Sequence, residues 1–320
     1  MDFAGKSVLV TGATGLLGGH IAAELVKRKA NVTAIIRDEV PDCYLKREGI
    51  EKSINIIRGN LEDYFLVERA MNEYEAEACF HLGAQTIVGT ANRSPISTFD
   101  SNIKGTWNVL EAARNSRLMH ALVIASTDKV YGESDKLPYT EEHPLLASHP
   151  YDVSKACADM LAHSYAVTYG LPLGITRCGN IFGGGDLNFN RIIPGTIRAL
   201  LHKKPPVIRS DGKMVRDYAY VNDIVSANLL LAEALLSGKE KGEAFNFSYN
   251  RPLTVLEAVG AVQKAMGSSQ KPIVENKASN EIPQQYLSSE KSKKRLGWKP
   301  GWSLESGLAP TIEWYRKYSD

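Results

Sequence analysis

The sequence of 320 residues is short of several features that would each mark a class of protein. Cysteine occurs four times, at Cys43, Cys79, Cys157 and Cys178, too scattered for a disulfide framework or a metal-ligand pair. A reducing compartment and no metal site are expected. No run approaches the roughly 20 apolar residues of a membrane span. The start, Met1-Asp2-Phe3-Ala4-Gly5-Lys6, lacks the basic segment, long apolar stretch and cleavage site of an export signal. A cytoplasmic location without membrane association follows as the expectation. Charge of one sign is missing too: 38 Lys and Arg stand against 36 Asp and Glu, a formal net charge of +2, which argues against a nucleic-acid binder.

What is present is an apolar fraction of 43%, enough for one large domain or two lobes. The first half alternates β-branched runs with amphipathic stretches. Val8–Val10, Val32–Ile36, Ile54–Ile57, Ala78–Leu82 and Ala121–Ala125 read as buried strands. Helical patterns separate them over Gly18–Lys29, Leu66–Asn72 and Lys104–Asn115. That alternation predicts an α/β fold, a doubly wound parallel sheet of Rossmann type. After Gly174-Ile175-Thr176-Arg177 the rhythm breaks at Gly183-Gly184-Gly185-Asp186, then resumes in a helix over Asn222–Leu236 and a strand over Ala244–Phe247. Residues 1–179 plus about 217–248 are expected to form the dinucleotide-binding domain, and 180–216 plus 249–320 a smaller, discontinuous lobe. Leu304–Tyr318 reads as a docking helix.

The first strand runs into Thr11-Gly12-Ala13-Thr14-Gly15-Leu16-Leu17-Gly18. Gly12 suits a tight turn, Gly15 lets backbone approach a pyrophosphate, and Gly18 allows close helix–strand packing. The N–H groups that open the next helix then face a phosphate. Candidate cofactor contacts are therefore Gly12, Thr14, Gly15, Leu16, Leu17 and Gly18. The second strand ends Ile36-Arg37-Asp38, with no carboxylate at position 36 for a ribose hydroxyl. Arg37 can grip a 2′-phosphate in a bidentate fork, which favours NADP and leaves NAD open.

Tyr151-Asp152-Val153-Ser154-Lys155 places a phenol and an ammonium four residues apart, on one helical face. A neighbouring cation favours the phenolate, and a phenolate beside a nicotinamide is a base for an alcohol losing hydride. Downstream of a dinucleotide loop this pair is read as catalytic. Ser126-Thr127-Asp128-Lys129 closes the preceding strand, at the carboxyl end where ligands sit in such sheets. Hydroxyls there can bind a sugar hydroxyl, and Asp128 can donate a proton.

These motifs resemble the extended short-chain dehydrogenase/reductase family, in particular its nucleotide-sugar epimerases and dehydratases, over essentially the whole chain. His81-Leu82-Gly83-Ala84-Gln85 and Asn102-Ile103-Lys104-Gly105-Thr106 resemble its cofactor segments. Arg177-Cys178-Gly179-Asn180 and Arg216-Asp217-Tyr218 resemble its substrate segments. Ser126-Thr127-Asp128-Lys129, Gly183-Gly184-Gly185-Asp186 and Arg191-Ile192-Ile193-Pro194 are most similar to CDP-glucose 4,6-dehydratases. The resemblance adds Asn60, Leu61, Leu82, Gly83, Ala84, Gln85, Asn102 and Ser126 to the cofactor contacts. It implies a nucleotide-diphosphate sugar met by Thr86, Thr127, Asn180, Arg191, Ile193, Pro194, Arg216 and Tyr220. It further implies oxidation at C4 by Tyr151, Lys155 and Thr127, then water loss with Asp128 as acid. Lys129 is the residue at the position of a C5 base. A 4-epimerase, or a silent cofactor sensor on the same fold, are the alternatives. Helices Lys104–Asn115 and Tyr151–Tyr169 resemble those that pair in the family's homodimers.

Overall fold

The computed structural model describes residues 3–277 and 282–318. Seven segments form one parallel sheet: β1 Ser7–Thr11, β2 Asn31–Ile36, β3 Asn55–Arg58, β4 Ala78–His81, β5 Ala121–Ala125, β6 Leu173–Cys178 and β7 Ala244–Phe247. Their spatial order is β7-β6-β5-β4-β1-β2-β3. Both neighbours of β1 are parallel to it, Val8 lying opposite Val32 on one side and Ala78 on the other. The chain therefore winds outward in two directions from β1 and β4, opening a crevice at their carboxyl ends.

Alternation along the strands sorts the core into two layers. Val8, Val10, Val32, Ala34, Phe80 and Val123 face one side of the sheet. There they meet α1 (Leu16–Lys27) through Ile21 and Leu25, and α6 (Val221–Leu236) through Ile224 and Leu229. Leu9, Ile35, Cys79, Leu122 and Ile124 face the other side. They meet α2 (Tyr64–Glu73), α3 (Gly105–Asn115) and α4 (Pro150–Tyr169). The doubly wound prediction holds. Its strand and helix bounds shift by at most a few residues, as terminal turns depend on long-range partners that periodicity does not register.

The smaller C-terminal lobe gathers α5 (Ile192–Leu201), α7 (Val255–Met266) and α8 (Leu304–Tyr318). Two-residue strands tie it together: Val207–Ile208 with Ile273–Val274, and Val215–Arg216 between Leu253–Thr254 and Gln284–Gln285. Of the lobes' expected spans, residues 1–2, 278–281 and 319–320 lie outside the described residues. α8 reaches back to the first lobe: Trp314 Nε1 donates to Glu48 at 3.1 Å, and the Tyr318 hydroxyl to the Arg47 carbonyl at 2.9 Å. No helix among the described residues is long and apolar enough to cross a membrane.

Candidate active site

At the crevice, Gly12 has φ +75°, and a side chain there would come within 2.7 Å of the Gly83 nitrogen. A Cβ on Gly18 would collide with the Gly12 carbonyl. Backbone therefore closes on backbone between the ends of β1 and β4. The N-cap of α1 is Gly15, without a capping side chain, and the first turn carries no acid. Its N–H groups and positive dipole end are left for an anion. Ser126 Oγ, at the end of β5, is buried with no hydrogen-bond partner. A tight glycine cradle, an uncapped helix start and an unsatisfied hydroxyl together fit a dinucleotide. Leu61, after β3, borders the same cradle, its Cδ1 2.7 Å from where a Gly83 Cβ would stand. Asn60 precedes it, and Thr86 is exposed just past Gln85.

A proton-directed chain holds this cradle in register. The Thr11 hydroxyl accepts from the Leu82 and Gly83 nitrogens at 3.1 and 3.0 Å, and faces His81 Nδ1 at 2.9 Å. With its lone pairs taken, its proton goes to Nδ1, so His81 carries its own on Nε2 and donates to Thr106 at 3.0 Å. Thr106 then donates to the Asn102 carbonyl at 2.6 Å. Burial, with Lys155 adding to it, pushes His81 down to about 3, which keeps the ring neutral. Asn102 sits in a π-helical stretch, Asp100–Lys104, ahead of α3. Its amide receives the Gln85 N–H at 2.7 Å and donates to the Gln85 carbonyl at 3.1 Å and to Ser154 Oγ at 2.8 Å. One side chain thus locks the cofactor loop to α4.

Tyr151 and Lys155 lie in the first turns of α4, which Pro150 starts. Burial pushes Lys155 down to about 8, partly offset by Asp159 one turn on. Burial raises Tyr151 to about 12; Arg191 and the Thr127 hydroxyl pull it back, while Asp128 and Asp152 add to the rise. The spacing in the sequence singles out Lys155 as the cation favouring the phenolate. In the folded chain Arg191 is the charge that pulls Tyr151 toward the phenolate. Thr127 Oγ1 donates to the Asp128 carboxylate at 3.0 Å. Asp128 is 5% exposed, and burial lifts it above the usual carboxylate range against the pull of Lys129 and Arg216. The site therefore holds a carboxyl inclined to keep its proton beside a hydroxyl and a phenol. Lys129 lies between acids, its charge acting on both Asp128 and Asp152.

A cavity of about 430 Å³ adjoins this cluster, lined by Asn180, Arg191, Ile193, Pro194 and Arg216. All five are expected substrate contacts. Tyr220 is elsewhere: it is 5% exposed and packs between Phe182 and Trp302 at ring distances of 5.6 and 4.8 Å. Arg37, 48% exposed, has Nε on Asp38 at 2.7 Å and NH1 on Ser101 at 3.3 Å. Sequence reasoning missed Ser154, Thr11 and Thr106, short polar residues that are indistinguishable from turn and cap formers until their partners are known. It also passed over Arg209, Tyr218 and Glu275, which are among the other residues lining the cavity.

The sequence model of the NAD dependent epimerase/dehydratase family matches residues 8–247. A trifunctional Arabidopsis thaliana protein with UDP-glucose 4,6-dehydratase, 3,5-epimerase and reductase activities is 31% identical over 97% of this chain. The chain spans 47% of that relative's length. Among solved structures, a UDP-glucose 4-epimerase from Thermotoga maritima with UDP-glucose is 28% identical, with a TM-score of 0.89 over 98% of this chain and 99% of the other. A dTDP-glucose 4,6-dehydratase from Bacillus anthracis in complex with NAD is 27% identical, with a TM-score of 0.86 over 98% and 97%.

Proposed function

This chain belongs to the NAD-dependent epimerase/dehydratase family, and from that premise we propose that it is a nucleotide-sugar 4,6-dehydratase, with a CDP-glucose-like hexose as substrate. The observation that carries the reading is Asp128. It is a buried carboxyl that burial lifts above the usual carboxylate range although Thr127 donates to it, and a 4-epimerase needs no acid there. Gly12, Thr14, Gly15, Leu16, Leu17 and Gly18 would hold the pyrophosphate, with Asn60, Leu61, Leu82, Gly83, Ala84, Gln85, Asn102 and Ser126 around the rest. A dinucleotide bound there would supply a reversible hydride acceptor beside the sugar carbons.

Tyr151 takes the 4-hydroxyl proton, Lys155 steadies the phenolate, and Thr127 hydrogen-bonds the 4-oxygen. The 4-ketone acidifies C5–H, so the proton leaving C5 passes to the amine nitrogen of Lys129 while Asp128 protonates the departing 6-hydroxyl, which leaves as water. A proton returns to C5 as C6 is reduced, giving a 4-keto-6-deoxy sugar. Asn180, Arg191, Ile193, Pro194 and Arg216, which line the cavity, would hold the nucleotide sugar together with Thr86.

Incubation with CDP-, UDP- and dTDP-glucose tests this by mass spectrometry. Loss of one water is expected, and Asp128→Asn should slow it by about 10²–10⁴-fold. A product of unchanged mass and inverted C4 would instead make the protein a 4-epimerase. That second reading is favoured by Lys129, a lysine where a carboxylate would more readily serve as the C5 base. Tyr151, Lys155 and Thr127 together argue against a silent sensor.

Arg37 supports a preference for NADP, because its guanidinium stands past the end of β2 with NH2 beyond the contacts to Asp38 and Ser101. Arg37→Ala should cost NADP about tenfold in Kd and leave NAD unchanged, since a charged hydrogen bond is worth about 1.5–3 kcal/mol. Tighter binding of NAD by the unmodified chain would end that preference. The lobe boundaries near residues 179, 217 and 248, and a homodimer through α3 and α4, complete the proposal.

A further inference from the structure

Three glycines lead from the first lobe toward the substrate cavity, each pressed by a different element. A Cβ on Gly184 would stand 2.5 Å from Trp314 of α8, and one on Gly185, at φ +92°, 2.6 Å from Tyr44. One on Gly183 would collide with Val221 of α6. His20 of α1 holds the Gly184 carbonyl at 2.9 Å while stacking on Tyr44 with ring centres 3.7 Å apart. Burial keeps His20 neutral, near 4, so Nε2–H donates. The buried Tyr315 hydroxyl donates to the Asp186 carbonyl at 2.7 Å. The backbone that delivers Asp186 is thus clamped by the cofactor helix on one side and the last helix on the other.

Asp186 itself is 4% exposed. One carboxylate oxygen accepts the Asn188 N–H at 3.0 Å, and the other accepts from Arg191 NH1 at 3.2 Å. The Arg191 side chain is 42% exposed. A long, half-exposed guanidinium has many rotamers, and an anchored buried carboxylate selects one of them. We propose that Asp186 is a positioning residue for the reaction, its clamped carboxylate aiming Arg191 at Tyr151 and at the anionic part of the substrate. The proposal rests on the reading above, in which Tyr151 is the base and a nucleotide sugar fills the cavity.

Three charged groups act on Tyr151: Arg191, Asp128 from the end of β5, and Asp152 on its own helix, with the Thr127 hydroxyl beside them. Only Arg191 depends on Asp186. Losing its aim removes a charge that favours the phenolate, so Tyr151 should lose its proton at higher pH and the acid limb of kcat should move upward.

The test uses the full chain with Asp186→Asn, Asp186→Glu, Arg191→Gln and the Asn/Gln double variant. Kd values for CDP, UDP and dTDP come from calorimetry, and kcat and KM are followed against pH. Asp186→Asn should weaken the best-bound nucleoside diphosphate about tenfold, as expected for a charged hydrogen bond, and shift the acid limb upward. Cofactor Kd should stay unchanged, and Asp186→Glu should recover part of the loss. The double variant should lose no more than Arg191→Gln alone, the mark of residues acting as a unit. Should Asp186→Asn fail to fold, Asp186→Glu and its double with Arg191→Gln carry the same comparison. Additive losses, or equal weakening of cofactor and nucleoside diphosphate, would overturn the proposal in favour of a structural role. If the unmodified chain binds no nucleoside diphosphate, the nucleotide-sugar reading fails and takes this proposal with it. If it binds and the variants bind equally, only the proposal fails.

Discussion

Burial drives Lys155 and Asp128 toward their neutral forms, one by releasing a proton and the other by keeping it. For Lys155 this has a measurable consequence in stability. Its folded value, about 8, lies below the ordinary 10.5, so between those values the unfolded chain binds more protons. Stability therefore gains a rising contribution with pH across that window. Cysteines and tyrosines of the unfolded chain ionise there too, so the quantity to follow is the difference between the unmodified chain and Lys155→Met. The urea midpoint of the unmodified chain should rise relative to the variant's from pH 8 to 10; parallel pH courses would show that Lys155 is not buried as described. The Tyr–Lys spacing was legible in the sequence, since four residues on a helix put side chains on one face. The cation that most favours the phenolate was not, because Arg191 arrives from a loop 40 residues further on.

Between residues and fold stand the turns that carry the chemistry. The glycine loop could be read directly, since a left-handed Gly12 and close backbone approach are local demands that few residues meet. The start of α3 could not. Periodicity runs that helix from Lys104, whereas the chain takes a π-helical stretch from Asp100 to Lys104. Such widened turns recur at functional sites, and this one presents Asn102 to both Gln85 and Ser154. Asn102→Ala leaves the part-buried Gln85 N–H without its side-chain acceptor and the Ser154 hydroxyl with its bond to the Tyr151 carbonyl alone. A loss of about 1–3 kcal/mol in denaturant stability is expected, with weaker dinucleotide binding. Unchanged cofactor affinity in a folded variant would make Asn102 a structural residue only.

At the scale of the molecule, apolar side chains on α3 and α4 remain exposed: Trp107, Met160, Val167 and Tyr169. Met160 and Val167 are two turns apart and share a face. A homodimer through these helices should give twice the chain mass in light scattering, and Met160→Asp should shift it toward the monomer. A monomer at micromolar concentration would refute it. The sequence by itself determined the α/β class and the doubly wound parallel sheet, and it marked the glycine-rich turn and the Tyr151–Lys155 spacing, because each follows from periodicity or from spacing within one or two turns. Only the tertiary structure decided that Tyr220 belongs to the core, that His81 transmits a hydrogen-bond chain, and that Asp186 anchors Arg191. Those roles arise where segments distant in the sequence exclude water together, as Thr11, His81 and Thr106 do, and burial decides which polar groups must find each other.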